Sequence, residues 1–284
     1  GTARRQLTGA PSHRLDQGAR VIPTSSVRLH DFRVASNDEE ADSVFRLVME
    51  APALARTIEP GQFMNLNVPG DASHIVRLPL SFSRSDARVG TVELVYAVVG
   101  EGTRRLSTMR PGDSSDVVGP CGHGWQTPTD ARRCLLVSGG AGIAPIMAAS
   151  RMLAERGVPF DVVIGAQDAR RLWGVERARE LDGGEVVVTT DDGSAGMRGL
   201  TTDAMGALLG RRAYGMAYAC GPAPMMASVA RLAAKAEIAC QVSLERMMTC
   251  GFGACNTCNV AMVSGGYKAC CTDGPVFDAR EVLW

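Results

Sequence analysis

From Val27 to about Pro128, apolar residues recur at alternate positions in short runs: VRLHDFRVA, SVFRLVMEA, QFMNLNV, IVRLPLSFS, TVELVYAVV and DSSDVVG. A period of two marks strands with one buried face, and the Gly, Pro and Asp between the runs predict the turns of a small antiparallel barrel or sandwich. One helical stretch interrupts them, GEGTRRLSTMRPGD, where Thr103 stands as the cap of two turns that end before Pro111 and Gly112.

After Arg132 the rhythm changes. CLLVS, FDVVIGA, EVVVTT and YGMAYAC are continuous apolar runs, separated by the helical patterns IAPIMAASRMLAERG, LWGVERARELDG and LTTDAMGALLG; a fourth helix, APMMASVARLAAKA, precedes the strand-like IACQVSLE. Strands apolar on both faces that alternate with helices predict a parallel sheet covered on both sides. The pattern therefore predicts a multidomain chain: a flexible extension over 1–26, an antiparallel β-barrel over 27–130, an α/β parallel-sheet unit over 131–240 and a small cysteine-rich unit over 241–284. The extension has none of the apolar continuity of a secretory signal.

Charge narrows the partners. The 284 residues carry 30 Lys and Arg against 30 Asp and Glu, a formal net charge of zero, so nothing draws the chain electrostatically to nucleic acid or an anionic membrane, and no apolar run reaches the roughly 18 residues of a membrane span. Nine cysteines in a chain too large to need disulfide staples point to a reducing compartment, the cytoplasm, and to thiols used as ligands.

Five of those thiols lie in MTCGFGACNTCNVAMVSGGYKACCTDGPVFDA, with spacing Cys250-x4-Cys255-x2-Cys258-x12-Cys271 and Cys270 competing for the fourth place. Three cysteines on one tight loop and one further along is the pattern of a plant-type [2Fe-2S] cluster, and Gly251 and Gly253 let the backbone wrap close to sulfur. A structural zinc knot, which more often presents two short Cys pairs, and free buried thiols are the alternatives. Adjacent cysteines on extended chain face opposite ways, so only one of Cys270 and Cys271 is a ligand; spacing alone does not choose.

Such a cluster moves single electrons, so a second redox cofactor is expected elsewhere. SGGAGIAP, with Gly139, Gly140, Gly142 and Pro145, follows one strand and opens a helix, and ACGPAPMM, with Cys220, Gly221 and Pro222, repeats the arrangement; two such turns at the carboxyl ends of parallel strands predict a dinucleotide crevice. Asp191 and Asp192 would repel a 2′-phosphate and favour NAD over NADP, or else form a solvated acidic turn. RLPLS (Arg77 to Ser81) and GEGT (Gly100 to Thr103) are candidates for a second dinucleotide. None of the four histidines, His13, His30, His74 and His123, sits in a catalytic motif, His123 reads as a surface residue, and no catalytic acid, base or nucleophile stands out.

The order RLPLS, VGEGT, VGPCGHGW, GGAGIAP, ACGP, SLERMMTCGFGACNTC, CTDGPVFDA resembles the electron-transfer subunits of the bacterial two-subunit, NAD-dependent dihydroorotate dehydrogenases over Val27 to Trp284. The resemblance implies a ferredoxin-reductase-type fold with FAD on the barrel, NAD on the α/β unit and [2Fe-2S] at the C-terminus. It places FAD on Leu78, Pro79, Leu80 and Ser81, on Val95, Tyr96 and Ala97, and on Gly102 and Thr103. It assigns the cluster to Cys250, Cys255, Cys258 and, through its Cys-x-D-G-P pattern, Cys271. The partner it implies is a catalytic, FMN-containing dehydrogenase subunit in a heterotetramer, which oxidises dihydroorotate in pyrimidine biosynthesis, and Cys220 would neighbour the nicotinamide.

Leu78 departs from the family, which has Arg directly before the Pro. Arg77 replaces that charge only if the strand shifts or bulges; otherwise Thr103 and backbone amides are left to hold the phosphate. A ferredoxin transhydrogenase subunit, an oxygenase reductase and a zinc-stabilised interaction module on a degenerate reductase fold are the competing functions. The terminal Leu283-Trp284 pair suits a fixed partner.

Overall fold

A computed structural model describes residues 27–69, 76–129 and 132–284; the extension over 1–26, with His13, and His74 lie outside the described residues. Six strands, β1 (Arg28–Ala41), β2 (Val44–Glu50), β3 (Phe63–Leu66), β4 (Leu78–Asp86), β5 (Thr91–Ala97) and β6 (Ser114–Cys121), close into an antiparallel barrel in the order β1-β2-β5-β4-β3-β6. Alternation does the closing: Leu47, Met49, Met64, Leu66, Leu94 and Val117 point inward and form one core, while their neighbours face outward.

Two short helices, α1 (Pro52–Ala55) and α2 (Glu101–Leu106), join the strands. Thr103 is not the cap of α2. Gly100 is the cap, and Thr103 sits inside the first turn, where its hydroxyl accepts from the N–H groups of Val99 and Gly100 at 3.0 and 3.1 Å. The reach-back bond places the threonine three residues later than a side-chain cap would stand.

The second body follows the alternating pattern: β7 (Cys134–Gly139), α3 (Ile143–Glu155), β8 (Phe160–Ala166), α4 (Val175–Arg179), β9 (Val186–Thr190), β10 (Met197–Arg198), α5 (Thr201–Leu209), β11 (Met216–Cys220), α6 (Ala223–Lys235) and β12 (Ala239–Ser243). The strands pair in parallel in the order β10-β9-β8-β7-β11-β12. Leu135, Val137, Ala217 and Ala219 share one core with α5 and α6, and Leu136, Tyr218 and Ile164 share another with α3. Helix α3 is apolar nearly all round because it also packs against β4 and β5 of the barrel. The helix expected over LWGVERARELDG shrinks to the five residues of α4. Leu172 is extended and Gly174 is left-handed at φ 88°, which delays the first turn.

The cysteine-rich tail is stitched to both bodies. A hairpin, β13 (Asn259–Ala261) and β14 (Tyr267–Ala269), is followed by β15 (Val276–Asp278), which pairs antiparallel with β12 and closes that edge of the sheet. His123, expected at the surface, is half-buried because its N–H donates to the Gly274 carbonyl and its backbone bridges Pro275. Among the described residues no helix is long and apolar enough to cross a membrane.

Candidate functional site

The strand order reverses direction between β7 and β11, so their two following turns meet at the carboxyl edge, where open α/β sheets take their ligands. The approach is close: a Cβ on Gly142 would fall 2.3 Å from the Cys220 carbonyl oxygen, so only glycine lets the turns touch. A cavity of about 690 Å³ opens beside them, with Gly139, Gly140, Pro222, Met225, Thr189 and Asp191 in its wall. That volume suits a nucleotide. Gly142 and Gly221 shape the turns from behind.

Of the two acidic candidates, Asp191 lines this cavity, whereas Asp192 is tied to Ser194 N and Oγ at 2.9 and 2.6 Å. Arg171 also borders it but is held by Gln167 and Asp168 at 3.0 and 2.8 Å. The free carboxylate fits a ribose hydroxyl better than a phosphate.

A second cavity, of about 480 Å³, lies between the barrel, α3 and the tail. Leu78, Pro79, Leu80 and Ser81 from β4, Val95, Tyr96 and Ala97 from β5, and Thr103 line it, as does Cys220. Gly102 contributes through packing, since a Cβ there would sit 2.6 Å from Leu78 Cδ2. Tyr96 turns its hydroxyl away to Asn37 Oδ1 at 2.9 Å, leaving an apolar ring face inward; burial pushes the phenol pKa up. Burial likewise pushes the Cys220 thiol well above its ordinary range, so it meets the cavity as a neutral group. Ala97, Val99 and Ala141 belong to both cavities. A ring bound in one can therefore approach a ring bound in the other.

Arg77 does not replace the missing arginine. It pairs with Asp116 on the outside of the barrel and donates to the Asp116 carbonyl at 3.3 Å. Thr103 is no substitute either, because its hydroxyl is committed to Val99 and Gly100. The tail supplies what the motifs did not: Ser243, Leu244, Glu245, Arg246, Met247 and Met248 form one wall of the cavity. Arg246 is a positive group on it, and the signal in sequence was a charged Glu-Arg pair between a buried strand and a cysteine loop.

Two residues beyond that wall the thiol loop begins. The four cysteines fall into couples: Cys255 hydrogen-bonds with Cys250, and Cys258 with Cys271, whose N–H also donates to Cys258 Sγ at 3.3 Å. Among the described residues no three His, Cys, Asp or Glu side chains converge as ligands of one ion. Bonds from the Thr257 hydroxyl and N–H, then from Cys250, hold the exposed Cys255 thiol down at about 6, a thiolate in waiting. Cys271 is pushed the other way by burial, by its bonded partner Cys258 and by the charge of Cys250.

Paired thiols are the donor set that a cationic core would hold as thiolates, and two couples match two irons. Cys270 instead turns inward, 3.4 Å from the Leu244 carbonyl, with burial pushing it to about 12. Beneath the loop, Asn65 is fully buried with neither amide atom bonded, at a cost of about 1–3 kcal/mol. Its signal in sequence was a lone amide in the middle of an apolar strand.

A barrel and a parallel sheet walling two communicating cavities, with a thiolate loop continuing from the wall of one, define a flavin- and nicotinamide-dependent oxidoreductase that carries an iron–sulfur centre. Family models agree segment by segment: the oxidoreductase FAD-binding domain matches residues 28–125, the oxidoreductase NAD-binding domain 136–231, and the iron-sulfur cluster binding domain of dihydroorotate dehydrogenase B 245–283. The chain belongs to the family of dihydroorotate dehydrogenase B (NAD(+)) electron transfer subunits. It is 33% identical over 260 residues to the one from Desulforamulus reducens, covering 90% of this chain and 99% of that one. To the one from Geobacillus thermodenitrificans it is 38% identical over 258 residues, covering 88% and 96%.

Among solved structures, one of an NADH-dependent reduced ferredoxin-NADP oxidoreductase, described for flavin-based electron bifurcation, superposes with a TM-score of 0.81 at 33% identity, over 89% of each chain. The ferredoxin reductase of carbazole 1,9a-dioxygenase gives 0.65 at 21% identity, over 75% of this chain and 67% of that one, and shares the fold.

Proposed function

We propose that this chain is the electron-transfer half of a dihydroorotate dehydrogenase, taking electrons from a separate catalytic subunit and delivering them to NAD+. The observation that carries this reading is the segment Ser243–Met248. It walls the 480 Å³ cavity on one side and runs into the first thiol of the loop at Cys250 on the other. When bound, a [2Fe-2S] cluster supplies single-electron carriage and FAD the conversion between single electrons and hydride pairs.

The chain's own groups position and insulate. Cys250, Cys255, Cys258 and Cys271 would hold the cluster. Leu78, Leu80, Val95 and the Tyr96 ring exclude water from the cavity that would take the flavin, and Ser81 and the neutral Cys220 thiol offer it short polar contacts. Gly139, Gly140 and Pro222 bring backbone close to the nicotinamide nucleotide, while Asp191 stands where a ribose hydroxyl would bind. The shared wall of Ala97, Val99 and Ala141 is small enough to let two rings meet. No side chain is required to act as acid or base on a pyrimidine, so substrate oxidation falls to the partner, an FMN-containing subunit in a heterotetramer. We place the complex in the cytoplasm, on the use of thiols as ligands.

The 33% identity to the ferredoxin-NADP oxidoreductase supports a second reading, in which the same relay serves ferredoxin and a nicotinamide cofactor. Co-purification of the native complex followed by assay decides between them. Dihydroorotate-dependent reduction of NAD+ is expected; ferredoxin-dependent turnover with none on dihydroorotate would reject the assignment and keep the relay.

A further inference from the structure

The strand β3 places its side chains alternately, with Met64 and Leu66 inside the barrel and Phe63 and Asn65 outside. Phe63 is absorbed by the core beneath the tail, beside Cys121, Met248 and Cys258. Asn65 has no such fate. It is 0% exposed, and neither Oδ1 nor Nδ2 has a hydrogen-bond partner. Other amides near it are satisfied: Gln62 Nε2 donates to the Gly122 carbonyl at 2.7 Å and Asn67 Nδ2 to Asp116 Oδ2 at 2.8 Å. Of these three neighbouring amides, Asn65 alone has no bonded side-chain atom.

What covers Asn65 is the thiol loop. A Cβ built on Gly251, whose φ is +81°, would fall 2.2 Å from Asn65 Nδ2 and 3.6 Å from Cys121 Sγ. The amide nitrogen thus faces the residue that follows Cys250, and Cys121 beside it lies within the field of the Cys250 thiol. A primary amide brings two N–H donors to this place. Thiolate sulfur is the acceptor that ligation of a cluster would create there, and a buried donor has no competing water.

We propose that Asn65 donates a hydrogen bond from Nδ2 to the cluster sulfurs on the Cys250 side, and so raises the cluster's reduction potential. This rests on the reading of the loop as a [2Fe-2S] site. An N–H directed at sulfur stabilises the more negative, reduced state more than the oxidised one, and donors of this kind are among the levers that set such potentials. The barrel would then tune the electron carrier of the tail. The absence of a side chain at Gly251 is what allows the contact.

The test uses the full-length holoprotein carrying Asn65→Leu, close in size but without polar atoms, in a redox titration followed by electron paramagnetic resonance. The variant is expected to hold the electron roughly tenfold more weakly, a midpoint about 59 mV more negative for one electron, with FAD content unchanged. An unchanged midpoint overturns the proposal.

Should the variant load no cluster, pulsed resonance on reduced protein with its own Asn65 and ¹⁵N in the asparagine side-chain amides carries the test. A nitrogen coupling that persists when Asn256 and Asn259 are changed to Gln is expected, and its absence overturns the proposal. If the unaltered protein shows no [2Fe-2S] signal at all, the reading of the loop fails and takes this inference with it.

Discussion

Cys270 and Cys271 differ by one position and their thiols have different bonded partners, the first the Leu244 carbonyl and the second Cys258. The consequence is a sharp contrast between two like substitutions. Cys271→Ser is expected to lose the cluster, read as iron content and visible absorbance, while retaining FAD. Cys270→Ser keeps a donor for the same carbonyl and is expected to retain the iron at a stability cost of about 1 kcal/mol. Equal iron loss in both would contradict the assignment. Spacing had left this pair open and the resemblance selected Cys271; the two lie in the turn after β14 rather than on extended chain, so what separates them is their different partners, not strand alternation. Asn65 was not legible in the same way, because its significance depends on a loop nearly two hundred positions away that covers it.

At the scale of elements, the alternation of strands and helices was readable because buried parallel strands and amphipathic helices have different periods. What could not be read was how short α4 is, where backbone at Leu172 and Gly174 overrides a favourable pattern, and the return of β15 to the edge of the sheet. Asp161, on β8, was likewise silent in sequence. It is 0% exposed and ties the strands together through Tyr214 Oη at 2.7 Å, Glu185 N at 2.7 Å, Arg212 at 2.8 Å and Arg133 at 2.9 Å. Burial alone would push its carboxyl up, but the bonds from Tyr214, Glu185 and Arg212 and the charge of Arg133 outweigh it and hold the group below its ordinary 3.8.

A depressed carboxylate stabilises the fold fully above the unfolded value and loses that contribution as pH falls through the folded one. Asp161→Asn should therefore cost about 2 kcal/mol near neutrality, less than the ~3–5 for a fully buried pair, because the arginines stay 30% and 39% exposed. The gap in Tm between the two proteins should narrow as pH drops below 3.8. A gap constant from pH 6 to 3 would show that the charge of Asp161 does not matter.

Across the whole molecule, the barrel is pinned to the nucleotide-binding body by Glu40. Its Oε2 accepts from Trp173 Nε1 at 2.6 Å, and its carboxylate lies 2.5 Å from Arg46 and 3.4 Å from Arg177, which stacks over the Trp173 ring. Trp173 also borders the 690 Å³ cavity. Glu40→Gln keeps the size but loses both ion pairs; these are partly solvated, so the effect is modest. A loss of NADH affinity of roughly three- to tenfold is expected, with FAD and iron content unchanged, measured by equilibrium titration. Unaltered affinity would mean that the joint does not shape the cavity.

The claim on which all of this depends is that the three sites of one chain are in electronic contact. Anaerobic titration of the purified holoprotein with NADH, followed together by visible absorbance and electron paramagnetic resonance, tests it most directly. Flavin bleaching accompanied by the signal of a reduced [2Fe-2S] cluster is expected, with the second lost and the first kept in Cys271→Ser. A protein that binds NADH and bleaches its flavin while an intact cluster stays oxidised, even under excess reductant, would contradict the account.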